Sequence, residues 1–328
     1  MNGGLKLLAD KTILVTGPNL AEQACTIADE AGYKIVCSPP YPDENTLLSY
    51  IERHDPVAII SRMGKITDAA LKSGKSLKVI SKHGAGVDNI DVNAATRRGV
   101  KVMRAPGANA VSVAEHTLAL MLATIKRLIP LDASMRNGHW EKASFLGREV
   151  AGMRLGLIGG GAIAVETLKM AKGLGLKVSV YDPFVSEEYI CSLGAACVKD
   201  LDALFRCSDV ISLHCPHTNE SHHILDSRTI GLMPRGSYVI NTSRGGLIDE
   251  EALAVALDND HIAGAGLDTF EDEPPKDITS LMRSEKVVLS PHVAGVTEEA
   301  GSRVGVLAVS GVVDYLDGKH IEDDRMVN

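Results

Sequence analysis

The stretch RLGLIGGGAIA, residues Arg154–Ala164, decides the fold of this chain. Its first half is a short apolar run that predicts a buried strand, and this run breaks at three glycines. The residues that follow carry apolar side chains at helical spacing, and a second apolar run, Lys177–Tyr181, ends next to Asp182. Strand, glycine turn, helix, strand and acid in this order are typical of a unit that binds a dinucleotide.

Each part of this unit has a physical task. Gly159 permits the tight turn, Gly161 lets the backbone approach a pyrophosphate, and the small Ala164 lets helix and strand pack closely. The free N–H groups and the dipole at the helix N-terminus attract the phosphates. Asp182 is placed to accept hydrogen bonds from the adenosine ribose and would repel a 2′-phosphate, so the sequence favours NAD over NADP. The alternative is an ordinary βαβ turn that binds no ligand.

Length and composition predict a globular protein with two domains of similar size. The chain has 328 residues, of which 45% are apolar and 23% charged. Its net charge of −8 opposes a role in binding nucleic acids or anionic membranes, because phosphate groups need a basic surface. The most apolar helical stretch, Leu118–Ala123, is too short to span a bilayer.

The cysteines and the N-terminus point to the cytoplasm. The six cysteines show no C-x-x-C spacing, which is most simply explained by reduced, packed thiols. Met1–Asp10 has neither the long apolar core nor the cleavage site of a signal peptide. We therefore expect a cytoplasmic protein.

The first hundred residues alternate short apolar runs with helical segments and predict an α/β domain with a mainly parallel sheet. A loop, Ser81–Asp91, follows the fourth predicted strand, at the edge where open α/β sheets bind ligands. Lys82 and the backbone amides of Gly84–Gly86 could hold a carboxylate or a phosphate there. Alternatively, the loop is a solvated turn in which Asp88 or Asp91 caps the next helix.

A long predicted helix, roughly Ala110–Ile129, is apolar on nearly every side, so we expect a neighbouring domain or subunit to bury it. Pro130 should interrupt this helix, and a second helix should end near Gly138. Trp140, soon after, is expected to anchor packing.

Histidines cluster after a later predicted strand, at His214, His217, His222 and His223. They lack the paired spacing that a structural zinc site needs, and Pro216 ends the strand in a loop. We therefore expect no metal.

Three further stretches place polar residues just past the ends of predicted strands. They are NTSRGG at Asn241–Gly246, DTFEDEP at Asp268–Pro274 and SPH at Ser290–His292. Taken singly, Arg244 could be a surface ion pair, Glu273 a solvated loop acid and His292 a packing histidine. In this order, after a dinucleotide-binding unit, the three together favour a catalytic set.

This ordered set of motifs resembles that of the D-isomer-specific 2-hydroxyacid dehydrogenases and is closest to their phosphoglycerate dehydrogenase-like branch. The resemblance covers nearly the whole chain. It implies that Arg244 binds the substrate carboxylate, that His292 is the acid/base, and that Glu273 hydrogen-bonds His292. The implied NAD-binding residues are Gly159, Gly161, Ala162, Ile163, Asp182, Pro216, Thr242 and Asp268, of which Asp268 would hold the nicotinamide carboxamide. The implied substrate-binding loop consists of Lys82, His83, Gly84, Ala85 and Gly86.

The chemistry agrees with those roles. Reduction of a 2-keto acid needs a hydride at carbon and a proton at oxygen, and histidine titrates near the working pH. A neighbouring carboxylate fixes the tautomer of a histidine and favours its protonated form. A guanidinium matches a carboxylate in bidentate geometry and polarises the adjacent carbonyl.

The resemblance also implies the architecture. It consists of two Rossmann/flavodoxin-like, doubly wound parallel-sheet domains with the active site in the cleft between them. The substrate domain would be discontinuous, residues 1–104 plus 295–328, and the NAD-binding domain would comprise residues 105–294. The long helix that begins at Ala110 would form part of a homodimer interface.

One departure from the family's pattern bears on the substrate. Lys82 stands where phosphoglycerate dehydrogenases typically carry an arginine, so the positive charge remains but the planar fork is lost. Glu273, rather than a glutamine before Pro274, argues against a formate dehydrogenase-like enzyme. The alternatives within the family are a glyoxylate/hydroxypyruvate reductase and a sugar-acid reductase. Outside the enzymes, the alternative is an NAD(H)-sensing binding protein like the family's transcriptional corepressors.

Overall fold

The computed structural model describes residues 11–328, and the expectation for Met1–Asp10 lies outside them. The chain divides into two compact units. The first unit contains the residues up to Asn109 together with Thr297–Asn328, and the second unit contains Ala110–Val296. Each unit is built around one parallel sheet with helices between its strands, so the predicted α/β class with two parallel-sheet domains is confirmed. No helix within residues 11–328 is both long and apolar enough to cross a membrane.

The first unit has a five-stranded sheet. Its strands, with all elements numbered along the chain, are β1 (Lys11–Thr16), β2 (Tyr33–Cys37), β3 (Ala58–Ser61), β4 (Val79–Lys82) and β5 (Lys101–Met103). They pair in parallel in the order β2-β1-β3-β4-β5, which is a doubly wound order. Its helices are α1 (Glu22–Glu30), α2 (Glu44–His54), α3 (Asp68–Ser73), α4 (Val92–Arg97) and α13 (Glu298–Leu316).

Alternation along β1 explains how this sheet is covered on both faces. Ile13 and Val15 pack into a core cluster with α1 and α13, whereas Leu14 points to the opposite cluster with α2, α3 and α4. Successive side chains of a strand point to opposite faces, and a parallel sheet has to bury both. A continuous run of branched aliphatic residues therefore indicates a strand that is buried on both faces.

The second unit has a seven-stranded sheet. Its strands are β6 (Arg154–Ile158), β7 (Lys177–Tyr181), β8 (Ala196–Cys197), β9 (Val210–Leu213), β10 (Ser237–Asn241), β11 (Ile262–Leu267) and β12 (Val287–Leu289). All pairs are parallel, in the order β12-β11-β10-β9-β6-β7-β8. Its helices are α5 (Ala110–Ile125), α6 (Leu128–Arg136), α7 (Ala162–Gly173), α8 (Glu187–Ser192), α9 (Leu201–Cys207), α10 (Ser227–Leu232), α11 (Glu250–Asp258) and α12 (Ser280–Arg283), with a 3₁₀ turn at Gly245–Leu247.

The strand order of the second unit reverses between β6 and β9, and this reversal locates a ligand site. Leu155 and Leu157 of β6 pack with α5 and α7, while Ile158 packs with α9 and α11 on the other face. In open α/β sheets, ligands bind outside the carboxyl ends of the strands at such a switch point. The loops that follow β6 and β9 are therefore expected to line a nucleotide site.

The break between the two predicted helices lies a few residues earlier than expected. α5 ends at Ile125 and α6 begins at Leu128, with Arg127 between them in the left-handed region (φ 52°). Pro130 does not interrupt a helix, because it lies in the first turn of α6, where a missing N–H costs no hydrogen bond. The apolar side chains of α5 pack against α7 and β11 of their own unit, which accounts for its apolar character.

An ion pair joins the first strand of the second sheet to its neighbour. The Arg154 guanidinium donates to both carboxylate oxygens of Asp209 (2.7 and 3.0 Å), and the Arg154 amide donates a third hydrogen bond (2.9 Å). These bonds from Arg154 lower the pKa of Asp209 below its ordinary value, although partial burial opposes them. A carboxyl group with a lowered pKa stabilises the fold above its unfolded-state pKa and loses that contribution as the pH falls through its folded value.

We predict that Asp209→Asn lowers the free energy of unfolding by about 1 kcal/mol near pH 7, because the charge-assisted bonds weaken at a partly exposed site. The difference from the wild type should start to shrink as the pH falls below about 4, the ordinary pKa of an aspartate, and should disappear as the pH passes through the lowered pKa of the folded protein. Denaturant unfolding at several pH values measures both effects. The exposed Asp277→Asn serves as the control. A difference between Asp209→Asn and the wild type that does not change with pH would contradict this account.

Candidate active site

The turn after β6 fits a pyrophosphate. Gly159 has φ 103°, and a Cβ there would lie 2.7 Å from the carbonyl carbon and oxygen of His214, so the two loops at the switch point touch. A Cβ on Gly161 would meet no atom within 4 Å in the described chain. Gly161 is the N-cap of α7 and supplies no side-chain cap, so the first amides of the helix, at Ala162 and Ile163, receive no hydrogen bond from a capping side chain and suit a phosphate.

Asp182 closes the same turn. Its Oδ2 accepts the Gly160 amide (2.7 Å), and its Oδ1 accepts the amides of Phe184 and Val185 (2.8 and 3.2 Å). A carboxylate oxygen has two lone pairs, so Oδ2 retains one for a ribose hydroxyl. The segment after Asp182 brings no cation that could pair with a 2′-phosphate. The arrangement fits NAD.

Pro216 and Thr242, the other predicted cofactor residues, follow β9 and β10 at the carboxyl edge of the sheet. The Pro216 carbonyl accepts the Ser221 hydroxyl (2.7 Å), and this bond shapes the loop. The Thr242 side chain is buried, and its hydroxyl pairs with that of Thr117 on α5 (2.8 Å). The hydrogen bond with α5 therefore fixes the Thr242 side chain.

The histidines near Pro216 make contacts among themselves. Burial lowers the pKa of His214 to about 4, and its Nε2 lies 2.9 Å from the Ser212 hydroxyl. His217 Nε2 lies 3.1 Å from His222 Nδ1, and His222 stacks on His223 at 3.9 Å between ring centroids. Within residues 11–328, no three or more His, Cys, Asp or Glu residues form a group that could hold a metal ion.

The loop that carries Arg244 is fixed by the last residue of β10. Asn241 donates from Nδ2 to the Arg244 carbonyl (2.8 Å) and accepts the Ser243 amide at Oδ1 (2.9 Å). The Ser243 hydroxyl donates to the Cys215 carbonyl (2.7 Å), which ties this loop to the loop after β9. The Arg244 guanidinium donates to the Ser243 carbonyl (2.7 Å) and is partly buried. The NTSR sequence therefore builds a closed turn that presents one arginine.

The two glycines after Arg244 are required by close packing. A Cβ on Gly245 would lie 1.8 Å from the carbonyl carbon of Phe270, and a Cβ on Gly246 would lie 2.7 Å from the His217 ring. No side chain fits at the first position without backbone movement, because the loop after β11 lies directly against it. Two of the sequence motifs are thus in contact, and this contact brings Arg244 towards Glu273.

Glu273 and His292 form the pair that the sequence predicts. Glu273 Oε2 lies 2.6 Å from His292 Nδ1, and Oε1 accepts the Phe270 amide (3.0 Å). Burial alone would raise the pKa of Glu273. The hydrogen bond and charge of His292, with smaller contributions from the Phe270 amide and Arg244, outweigh burial and lower that pKa below its ordinary value.

The state of Glu273 determines which nitrogen of His292 is free. An ionised carboxylate only accepts, so His292 carries a hydrogen on Nδ1 and donates it to Glu273. His292 Nε2 is then left to face a reacting group, and the side chain is 48% exposed. The backbone of His292 lies in the left-handed region (φ 54°), which is uncommon for a residue with a side chain.

Asp268 lies beneath this histidine and is completely buried. Its carboxylate accepts the Ser290 hydroxyl (2.6 Å) and the amides of Val293 and Ala294 (2.9 Å each). The sequence predicts that Asp268 holds the nicotinamide carboxamide. In the structure its carboxylate holds the segment that carries His292.

The predicted substrate loop belongs to the first unit. Lys82 ends β4 and donates from Nζ to Asn89 Oδ1 (2.8 Å), and Asn89 is itself fixed because it donates to the Ser61 hydroxyl and the Gly64 carbonyl (3.0 and 2.6 Å). The predicted cap is also present, since Asp91 accepts the Ala94 amide at the start of α4 (2.8 Å). A capped helix and an anion-binding loop are therefore compatible in this segment.

The His83 ring packs against α13 of the first unit. Its Nε2 lies 3.7 Å from where a Cβ on Gly305 of α13 would stand. Burial, with the nearby Arg62 charge, lowers the pKa of His83 to about 4, so the ring is neutral. The next residue, Gly84, adopts φ 147°, and with Ala85 and Gly86 it continues the loop.

Sequence reasoning missed three residues at these edges. Arg62 directly follows β3 and donates to the carbonyls of Pro18 and Asn19, Asn89 holds Lys82, and His116 of α5 contacts Ser290. Arg62 had a usable signal, because it follows a predicted strand as Lys82 does. The other two depend on contacts between distant segments, which spacing along the chain does not reveal.

Comparison with known proteins agrees with this geometry. Residues 118–294 match the family model described as "D-isomer specific 2-hydroxyacid dehydrogenase, NAD binding domain". A D-3-phosphoglycerate dehydrogenase of Methanocaldococcus jannaschii is 39% identical over 95% of this chain and 58% of its own length. A hydroxypyruvate reductase of Thermotoga maritima is 40% identical over 84% of this chain and 89% of its own length.

A solved structure is similar over nearly its full length. The NAD⁺-bound 3-phosphoglycerate dehydrogenase of Entamoeba histolytica superposes with a TM-score of 0.82 and 27% identity, covering 98% of this chain and 99% of that one. The chain spans a little over half the length of several curated phosphoglycerate dehydrogenases that it matches. With its glycine turn, its Asp182 and its matched family model, this chain belongs to the D-isomer-specific 2-hydroxyacid dehydrogenase family, and residues 118–294 are its NAD-binding domain.

Proposed function

We propose that this protein is an NAD-dependent oxidoreductase that interconverts a 2-hydroxy acid and a 2-keto acid. The observation that carries the proposal is the 2.6 Å contact between His292 Nδ1 and Glu273 Oε2. This pair lies just past the strands of an NAD-binding sheet, and the charge of Arg244 also lowers the pKa of Glu273. An acid/base, its orienting carboxylate and a cation for an anionic substrate are the groups that this reaction needs.

His292 is the proposed proton donor and acceptor. In reduction, NADH held at the turn of Gly159, Gly161 and Asp182 would supply the hydride for the substrate's C2. His292 donates the proton on Nε2 to the keto oxygen, and in oxidation it takes that proton back from the hydroxyl. Glu273 holds the Nδ1 hydrogen throughout, which fixes the orientation and the tautomer of the ring.

Arg244 is the proposed carboxylate ligand. Its guanidinium offers paired donors that match the two oxygens of a carboxylate. The turn built by Asn241 and Ser243 fixes the backbone from which it extends. This limits the entropy that Arg244 would lose on binding substrate.

We propose the loop Lys82–Gly86 for the remainder of the substrate, with Lys82 supplying a point charge held by Asn89. His83 would contribute through the backbone it shapes, since its ring is packed against α13. An ammonium does not reproduce the fork of an arginine on a phosphate. The named relatives act on phosphoglycerate or hydroxypyruvate, so both classes belong in a substrate test.

We predict that the protein oxidises NADH with at least one member of a 2-keto acid panel. The panel contains glyoxylate, hydroxypyruvate, phosphohydroxypyruvate, pyruvate, 2-ketogluconate, sulfopyruvate and oxaloacetate, followed at 340 nm. His292→Ala should lower kcat by about 10²- to 10⁴-fold, because general acid catalysis is lost, while NADH binding measured by fluorescence persists. The exposed His320→Ala is the matched control.

The outcomes of the panel separate the proposals. A rate that is unchanged in His292→Ala would remove His292 from the mechanism. NADH binding without turnover of any panel member would overturn the dehydrogenase proposal and favour a corepressor-like sensor. If a substrate with a second anionic group is preferred, Lys82→Met should abolish that preference.

We predict that Glu273→Gln lowers kcat for keto-acid reduction across the pH range, because an amide does not fix the Nδ1 hydrogen of His292 as an ionised carboxylate does. In the wild type, the pKa of Glu273 is lowered below its ordinary value, so protonation of this carboxylate should not limit the rate between about pH 5 and 8. Initial rates against pH measure this. The exposed Glu271→Gln is the control, and a profile for Glu273→Gln that coincides with it would contradict the assigned role.

We also propose that the protein is a cytoplasmic homodimer. The six cysteines are free thiols, which suits a reducing compartment. Five large apolar side chains are exposed within 19 residues of α6 and the segment after it, and a monomer rarely leaves such a surface uncovered. They are Leu128 (52% exposed), Ile129 (57%), Met135 (53%), Trp140 (74%) and Leu146 (94%). Trp140, expected to anchor packing, is thus largely uncovered within one chain.

We predict that the wild type sediments at twice the 34.8 kDa mass of the chain at micromolar concentration. The double variant Trp140→Asp/Leu146→Asp should shift the equilibrium towards monomer, because it places charges in the apolar interface. Val255→Asp, at an exposed apolar position on α11, controls for a general effect of added charge. A monomeric wild type, or equal dissociation of the control, would overturn the proposed interface. Circular dichroism verifies that each variant is folded.

A further inference from the structure

His292 needs help to keep its position. Its backbone is left-handed (φ 54°), which costs energy for any residue that has a Cβ, and its side chain is about half exposed. The bond to Glu273 fixes only the ring. Some other group has to hold the backbone from which the ring extends.

Asp268 supplies that hold from both its backbone and its side chain. The Asp268 carbonyl accepts the His292 amide (2.7 Å), and the carboxylate accepts the amides of Val293 and Ala294 (2.9 Å each). On the other side of the turn, the Ser290 hydroxyl lies 2.6 Å from Asp268 Oδ1. The buried Asp268 carboxylate therefore binds the residues on both sides of His292 in the sequence.

The hydrogen on Ser290 decides what its next partner must be. Asp268 is already the acceptor for two amides, so the short contact at 2.6 Å uses the only hydrogen of the Ser290 hydroxyl. His116 Nε2 lies 2.8 Å from the same Ser290 oxygen. Since Ser290 has no second hydrogen to give, His116 has to donate, and its hydrogen lies on Nε2.

We propose that His116 is a positioning residue for His292, acting through Ser290 and Asp268. By donating from Nε2, His116 keeps the Ser290 hydroxyl directed at Asp268. His116 Nε2 also lies 3.6 Å from Asp268 Oδ1, so its partial positive charge faces a carboxylate with no exposure to solvent. The inference rests on the proposed function, because it assigns His116 to the reaction of His292.

The kinetic test compares two replacements of His116. His116→Leu removes the donor and should lower kcat for keto-acid reduction about 10- to 100-fold, with KM and the Kd for NADH changed less than about threefold. His116→Gln places an amide donor near the position of Nε2 and should recover most of that loss. Glu115→Gln, exposed on the same helix, is the control. Equal loss in both His116 variants, or none in His116→Leu, would overturn the proposal.

A second measurement needs no turnover. Nitrogen-15 NMR of the histidine-labelled wild-type protein, with His116 assigned from the His116→Gln spectrum, reports which ring nitrogen carries the hydrogen in the neutral form. The proposal requires Nε2, and a hydrogen on Nδ1 alone would refute it. If the wild type reduced no keto acid, the proposed function would fail, and this measurement would still decide the state of His116.

Discussion

The candidate site depends on the close approach of two loops, at Gly245 and Phe270. The atoms there are so close that a single Cβ would overlap the Phe270 carbonyl carbon at 1.8 Å. Because all strands of this sheet are parallel, the loops after β10 and β11 leave from the same edge, and the absence of a side chain at Gly245 lets them touch. The Phe270 amide then reaches Glu273, and Glu273 reaches His292. A packing constraint on one glycine thus places a charge pair.

The electrostatics of the site follow from that packing. Burial favours a neutral Glu273, yet its position between His292, the Phe270 amide and Arg244 favours the ionised form, and the second effect is larger. The balance between burial and a charged partner also distinguishes His83 and His214 from His292. Desolvation lowers the pKa of both His83 and His214 to about 4. These two rings are therefore neutral near pH 7, whereas the His292 ring contacts the Glu273 carboxylate.

Local patterns predicted the parts of this molecule in which one segment determines its own structure. The strand, glycine turn and helix at Arg154–Ala164 and the acid at Asp182 lie where their spacing indicates. Arg244, Glu273 and His292 belong to one unit, as strand ends at one edge of a sheet would place them. The patterns failed where the outcome depends on packing between distant segments. Pro130 was expected to break a helix, but the chain turns at Arg127.

Asp268 shows the same limit at the site itself. Its place after β11 indicates a ligand-facing carboxylate, but whether it faces a cofactor or the chain depends on where Val293 and Ala294 lie. Those residues are 25 and 26 positions away, and no periodicity connects them. A carboxylate with two amides and a hydroxyl already in place has a structural task in the protein alone, before any cofactor binds.

Helix α5 explains how an almost wholly apolar element can still shape a polar site. The aliphatic side chains of α5 belong to the core of the second sheet, and hydropathy alone would predict only a buried helix with a packing role. Its few polar side chains are spaced so that they meet the strands and the loops after them. His116 reaches Ser290, Thr117 reaches Thr242, and Thr124 reaches the Ala265 carbonyl. A buried polar group costs free energy unless it is bonded, so each of these residues fixes the helix in one register against the sheet. The hydrogen bonds of His116 and Thr117 thereby fix the loops that follow the strands against the packed core.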